Sequence, residues 1–148
     1  VSNGTRKDPL LAYRFLVEIQ GLIVGGFEEV SGLEVSIDVE EWTEGGENQF
    51  VHRLPKGAKH GTLVLKRGLV TQGLWSWFEE TLKALTFRRP IPVRKVYVII
   101  LDAQGQETFR LACEKAYPIK WSGPDLRAKD ASVAIEALEL AYHKLGRF

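Results

Sequence analysis

Three histidines and one cysteine are the residues best equipped for nucleophilic or metal chemistry, and their spacing serves neither. His52, His60 and His143 form no HExxH pair and no other paired metal spacing. Cys113 stands alone in FRLACEKAY, so the chain has no internal disulfide and no thiolate cluster. Its small and apolar neighbours mark it as a buried small hydrophobe rather than a reactive thiol. Glu40 and Glu41 are adjacent on a predicted strand and point to opposite faces, the wrong geometry for a shared proton. Ser31-Gly32 lacks the preceding Gly-x of a nucleophile elbow. The run from Gly21 to Gly26 (GLIVGG) lacks both the G-x-G-x-x-G pattern and a phosphate-binding lysine. No catalytic residue, cofactor or metal site is expected, and a small-hydrolase reading is left without a nucleophile–base set.

The order of the charges says more than their chemistry. From Glu34 to Glu47 there are six acids (Glu34, Asp38, Glu40, Glu41, Glu44, Glu47) and no base. From His52 to Arg67 there are five bases (Arg53, Lys56, Lys59, Lys66, Arg67) and no acid. Two arrangements fit. An exposed hairpin would pair the charges of its own two arms, each pair contributing a few tenths of a kcal/mol. Alternatively, a projecting segment would offer opposite signs to two neighbouring copies, setting their register and steering their association. The second arrangement assigns assembly contacts to Glu40, Glu41, Glu44, Glu47, Phe50, His52, Arg53, Lys56 and Lys59. Phe50 belongs with them because it lies in a polar stretch that gives it no local reason to be buried.

The elements that would position these residues are read from periodicity. Tyr13 to Gln20 (YRFLVEIQ) and Leu33 to Trp42 (LEVSIDVEEW) alternate apolar and polar residues, the signature of half-buried strands. Thr43 to Gly61 follows as a connection of about 19 residues, a length usually tied to function. Thr62 to Arg67 returns as a strand. A helix is predicted over about 72–85, capped by Thr71, with Leu74, Trp75, Phe78, Leu82 and Leu85 as its core stripe. Arg88-Arg89 and Pro90 end it. Val93 to Leu101 and Thr108 to Tyr117 flank the hairpin turn at Asp102 to Gly105. Pro118 and Trp121 to Pro124 mark another turn. Ser132 to Tyr142 (SVAIEALELAY) reads locally as helix, since Ala, Glu and Leu favour it.

With 148 residues, 45% of them hydrophobic, and a net charge of +1, the chain is long enough for one full-sized core. A single domain is expected, preceded by a mobile arm over about residues 1–10. The charge balance excludes a DNA-binding class that relies on large positive excess. No apolar run approaches the roughly 20 residues of a membrane span, so no membrane insertion is expected. The polar start does not look like a signal peptide.

Taken in order, DPLLAYRFLVEIQGL, GGFEEVSGLEV, EGGENQFVHRLPKGAKHGTLVLKRG, LWSWFEET, LDAQGQE and YPIKWSGPDLRAKDASVAIEALELAYHKL make a longer pattern. From about Asp8 to Leu145 it resembles the tail tube proteins of contractile phages and phage-tail-like contractile injection systems. The resemblance implies a mainly β fold, a sandwich or barrel of about six to eight antiparallel strands with one flanking helix. It makes Ser132 to Tyr142 a strand, against the local preference. It also makes the segment over about 41–61 an assembly hairpin reaching into an adjacent ring.

Further expectations follow from the same resemblance. Hexameric rings would stack into a hollow conduit inside a sheath, with no catalytic activity. The partners would be further copies of the chain, sheath protein, baseplate or tube-initiator proteins, a tube terminator, and luminal cargo (DNA, a tape-measure protein or an effector). Synthesis would be in a bacterial or archaeal cytoplasm, and the mature location a virion tail or a released particle. Two other readings stand beside it. One is the tube-initiator ring at the baseplate, for which the length leaves no room for a large insertion. The other is a single-stranded nucleic-acid-binding β-barrel that uses the basic segment and its aromatics for stacking.

Overall fold

The computed structural model describes residues 14–20, 27–43, 51–68, 74–129 and 134–147. The elements are β1 (Arg14–Ile19), β2 (Glu29–Ser31), β3 (Val35–Thr43), β4 (Val51–His60) and β5 (Leu63–Gly68). Then come α1 (Leu74–Thr86), β6 (Arg94–Leu101), β7 (Glu107–Ser122), β8 (Ile135–Ala141) and β9 (Lys144–Arg147). The fold is mainly β and antiparallel with one helix. A seven-stranded sheet runs β1-β6-β7-β8-β5-β2, with β9 also on β7, while β3 and β4 form a separate two-stranded sheet. The large sheet is open rather than a closed barrel.

Alternation builds the core. On β1, Val17 and Ile19 are buried and stand opposite Val98 and Val96 of β6, while Leu16 and Glu18 point away. On β5, Leu63 and Leu65 face Leu140 and Leu138 of β8, all four buried. β7 spans both halves of the sheet. Its first part pairs with β6 and β9 and its last part with β8. The ladder with β6 shifts register between Arg94 and Val96, opposite Lys115, whose φ is 54°. A residue in left-handed geometry at a register shift bends a strand, and here it lets β7 pass from one half of the sheet to the other.

Of the strands expected over 13–20, 93–101 and 108–117, the described residues show β1, β6 and β7, as well as the turn at Asp102, whose Oδ1 accepts from the backbone N–H of Gln104 and of Gln106. Ser132 to Tyr142 contains strand β8, as the resemblance implies and local propensity does not. The physical reason is Glu136, which sits on the buried face with Leu138 and Leu140 and so disguises the alternation.

Three expectations need correction. Thr43 to Gly61 is not all connection, because β4 occupies its second half; Pro55 and Gly57 look like loop punctuation but sit at a β-bulge, where a strand tolerates them. The turn expected at Pro118 and Trp121 is instead continuous strand to Ser122, with Pro118 at a register shift. The short strand β9, after β8, was not foreseen.

The helix is present from Leu74, but its buried stripe is Leu74, Trp77, Thr81 and Ala84. Of the expected core residues, Leu74 is buried and Phe78 packs partly against the core, whereas Trp75, Leu82 and Leu85 are exposed. Thr81 and Ala84 are small enough to let the helix lie close on the sheet, which seats the large Trp77 ring in the core. Trp77 Nε1 donates to the carbonyl of Pro92 at 3.4 Å. The expected N-terminal arm, the bend at Gly25-Gly26 and the cap at Thr71 lie outside the described residues.

Candidate assembly surface

The β3–β4 hairpin brings the acidic and basic arms side by side. In its register, Val35, Ile37, Val39, Glu41 and Thr43 lie opposite His60, Ala58, Pro55, Arg53 and Val51; Ser36, Asp38, Glu40 and Trp42 lie opposite Lys59, Gly57, Leu54 and His52. Residues directly opposed across an antiparallel pair share a face. One face therefore carries the apolar row Val35, Ile37 and Val39.

The charges of the two arms are partly satisfied within the chain. Arg53 Nε lies 3.2 Å from Glu41 Oε1, and Lys59 Nζ lies 3.4 Å from Asp38 Oδ1. Trp42 and His52 stack with ring centroids 4.7 Å apart. Exposed pairs of this kind contribute little to stability, roughly 0.2–1 kcal/mol each. Glu40 and Lys56 make no ion pair among the described residues, and Lys56 is the extra residue of the bulge between the Val39–Pro55 and Asp38–Gly57 pairs. Glu44, Glu47 and Phe50 lie outside the described residues.

The apolar row remains uncovered: Val35 is 51% exposed, Ile37 64% and Val39 42%. The alternation is that of a half-buried strand, yet among the described residues nothing covers it. A two-stranded hairpin alone is at best marginally stable in water. A row of exposed β-branched residues on such a hairpin marks an interaction surface.

The root of the hairpin is firmly built. Gly32 has φ +87°, and a Cβ there would meet the carbonyl oxygen of Thr62 at 1.7 Å. At Gly61 a Cβ would sit 2.8 Å from the Gly32 carbonyl oxygen. The two chain passages thus touch backbone to backbone, and only glycine fits. Tyr142, buried just after β8, reaches this point: its hydroxyl lies 2.9 Å from the Gly32 carbonyl oxygen and 3.0 Å from that of Glu34, and it accepts the Glu34 N–H at 3.3 Å. The His60 ring stands edge-on to Tyr142, centroids 5.2 Å apart. Burial pushes the Tyr142 phenol above its ordinary pKa. Sequence reasoning missed Tyr142, whose only local signal is its place at the end of an apolar run.

It also missed the buried pair Arg67 and Glu136, directly opposed on β5 and β8, with Arg67 Nε 3.4 Å from Glu136 Oε2. Trp121 Nε1 donates to Glu136 Oε1 at 3.1 Å, and the Arg67 guanidinium lies over the Phe27 ring. The acid is thus an ion-pair partner inside the core. Nothing about it resembles a catalytic group. Cys113 is fully buried, and desolvation pushes its thiol pKa up to about 12. Among the described residues no group of three or more His, Cys, Asp or Glu could hold a metal ion. Nor is any described helix long and apolar enough to cross a membrane.

Among the described residues the main sheet is open and the apolar row of the hairpin is uncovered. The family model described as T4-like virus tail tube protein gp19 matches residues 11–146, and the chain belongs to that family. Among solved structures it is similar to a chain of the anti-feeding prophage baseplate, determined by cryo-electron microscopy with 6-fold symmetry, at 26% identity and a TM-score of 0.76 over 97% of each chain. It shares its fold with a chain of the PVC extracellular contractile injection system sheath–tube complex, at 17% identity and a TM-score of 0.77 over 91% of this chain and 88% of that one. It also shares that fold, more distantly, with Hcp1 from Flavobacterium johnsoniae, at 13% identity and a TM-score of 0.54 over 90% and 94% of the two chains. No curated protein sequence matches the chain.

Proposed function

We propose that this chain is the tube subunit of a contractile tail or injection particle, a passive structural element with no catalytic role. Its copies associate into hexameric rings, and the rings stack into a conduit that sheath contraction drives forward. The observation that carries the reading is the free-standing β3–β4 hairpin with its uncovered apolar row, in a chain of the tail tube family. Such a lobe gains its burial from neighbouring copies. A head-to-tail contact of this kind closes into rings or continues as a stack, and each stable interface should exceed about 1,000 Å² of buried surface.

Sheath, baseplate and terminator proteins are the further partners of this reading, with DNA, a tape-measure protein or an effector in the lumen. Negative-stain electron microscopy of the purified chain, alone and with its baseplate, tests it. Hollow tubes or stacked rings are expected. A chain that is monomeric at every concentration and absent from particles would overturn the proposal.

A second reading, the tube-initiator ring at the baseplate, draws on the 26% identity to a chain of a baseplate structure. Labelling the chain in intact particles separates the two: a signal along the whole tube supports the tube subunit, and a signal confined to one ring at the baseplate supports the initiator.

A further inference from the structure

We infer that the groove between α1 and the last part of β7 is a docking site for a short acidic, amphipathic segment of another protein. It is a different surface from the hairpin and does not depend on the tube-subunit reading. The helix keeps a second apolar stripe outside the core: Phe78, Leu82 and Leu85 recur at helical spacing, and Leu82 and Leu85 are 42% and 60% exposed. They form one wall of an open groove of about 290 Å³, whose other wall is made by Ile91, Tyr117 and Ile119. Ile119 is itself 48% exposed. An apolar trough of this kind receives the apolar face of a short helix.

The backbone at the rim indicates the charge of the partner. Among the described residues two that are not glycine have positive φ, Arg88 at 52° and Lys115 at 54°. Both stand close in sequence to residues that line the groove. Arg88 closes α1. The Arg89 N–H donates to the Ala84 carbonyl and the Arg88 N–H to that of Leu85, the paired bonds of a Schellman cap whose left-handed residue is usually glycine. Lys115 is the left-handed residue at the register shift of β7, two positions before Tyr117, where glycine is again the usual choice. Each site thus holds a cation at a conformational cost that glycine would not incur. Such strain persists where the side chain has a use. The helix dipole favours a cation at this end of α1, but Arg89 already supplies one, and no dipole accounts for Lys115.

Nearby acids do not neutralise these cations. Glu79 pairs with Lys83, Glu80 with Arg94, Glu114 with Lys95 and Lys144, and Glu139 with Lys120. Arg88, Arg89 and Lys115 are exposed and make no ion pair among the described residues. An apolar trough beside unpaired cations suits a segment whose apolar residues are flanked by Asp or Glu. Apolar burial holds such a segment, while charge orients it and rejects basic competitors. Two copies meeting groove to groove would set the same cations against each other, which disfavours that occupant.

Fluorescence anisotropy on the purified chain tests this with two labelled synthetic helical peptides. One carries leucines at i, i+3, i+4 and i+7 flanked by glutamates, and the other has lysines in place of the glutamates. The acidic peptide should bind at least about tenfold more tightly, and less tightly as salt is raised. Leu85→Asp should abolish binding and leave the circular dichroism unchanged. Arg88→Glu with Arg89→Glu should weaken binding about tenfold. Arg88→Gly separates docking from a purely structural role: binding should fall while the thermal midpoint holds or rises. Binding indifferent to peptide charge, wild-type binding by the charge-reversed variant, or displacement of the acidic peptide by a single-stranded oligonucleotide overturns the inference. Photocrosslinking from benzoylphenylalanine placed at Leu85 in intact particles identifies the occupant. A crosslink to a different protein, at apolar residues flanked by acids, supports the inference; a crosslink to a second copy of this chain, or none, overturns it. A chain found in no particle bears on the tube reading alone, and the peptide measurements still decide the docking site.

Discussion

Tyr142 does at the hairpin root what no other side chain described there does, since one hydroxyl meets three backbone groups on the passage from Gly32 to Glu34. Those groups keep backbone partners of their own, Gly32 C=O with the Glu34 N–H and Glu34 C=O with the Gly61 N–H, so Tyr142→Phe should cost only about 0.5–1.5 kcal/mol in denaturant unfolding and speed amide exchange at Glu34 and Gly61. Unchanged exchange at both amides would refute the latch. Arg67 and Glu136 make a different kind of contact. Breaking one partner of a buried pair leaves an uncompensated charge, so Glu136→Ala should destabilise by roughly 3–5 kcal/mol. Replacing both with apolar residues of similar volume (Arg67→Met with Glu136→Leu) should restore most of that loss, as read by denaturant unfolding. Cys113 gives a pH dependence. In the unfolded chain its thiol ionises near 9, in the folded protein only at about 12. The folded state therefore holds its proton longer, and this contribution to stability is fully present below pH 9 and is lost as pH rises towards 12, at up to about 1.4 kcal/mol per pH unit. Cys113→Ala should flatten that part of the stability profile, although the cavity it leaves lowers stability at every pH.

At the scale of elements, the hairpin satisfies part of its charge order within the chain. Arg53 and Lys59 are engaged with acids of the same chain, so reversing Lys59 would disturb the hairpin itself by facing Asp38 with a like charge. Lys56 has no such tie, and Lys56→Glu is the cleaner substitution. It should leave the circular dichroism of the monomer unchanged and raise the concentration needed for stacking about tenfold, which corresponds to about 1.4 kcal/mol. Wild-type stacking by Lys56→Glu would remove charge from the contact and leave apolar burial to hold it. The same element shows what the sequence made legible. β3 was readable because Val35, Ile37 and Val39 alternate with polar residues. β4 was hidden because Pro55 and Gly57 are loop residues by propensity and strand residues only at a bulge. The helix was readable, but its buried face was not. Two apolar stripes lie side by side on α1, and only the sheet beneath decides that the one with Thr81 and Ala84 goes inward. β8 was obscured by Glu136, whose partner Arg67 is distant in sequence. Of the site, the charge order and the length of the segment were visible; the root at Gly32, Gly61 and Tyr142 was not, because it is made of contacts between distant parts of the chain.

For the whole molecule, the tube-subunit reading places part of the stabilisation between copies, at the uncovered hairpin. Association that favours the folded state raises its apparent stability by mass action. The midpoint of thermal unfolding should therefore rise with protein concentration, by about 3 °C or more per tenfold for a chain of this size. A midpoint independent of concentration over the assembling range would contradict an obligate partner for the hairpin. β7 carries one more implication. A single strand of 16 residues threads both halves of the sheet around its bend at Lys115 and is hydrogen-bonded along its length to β6, β8 and β9. If this strand were pulled along its own axis, its neighbours would have to let go together in shear instead of peeling one bond at a time. Resistance to a sudden push is then built into each brick, and a single-molecule pulling trace along β7 should show one abrupt rupture where a peeling geometry would show a gradual yield.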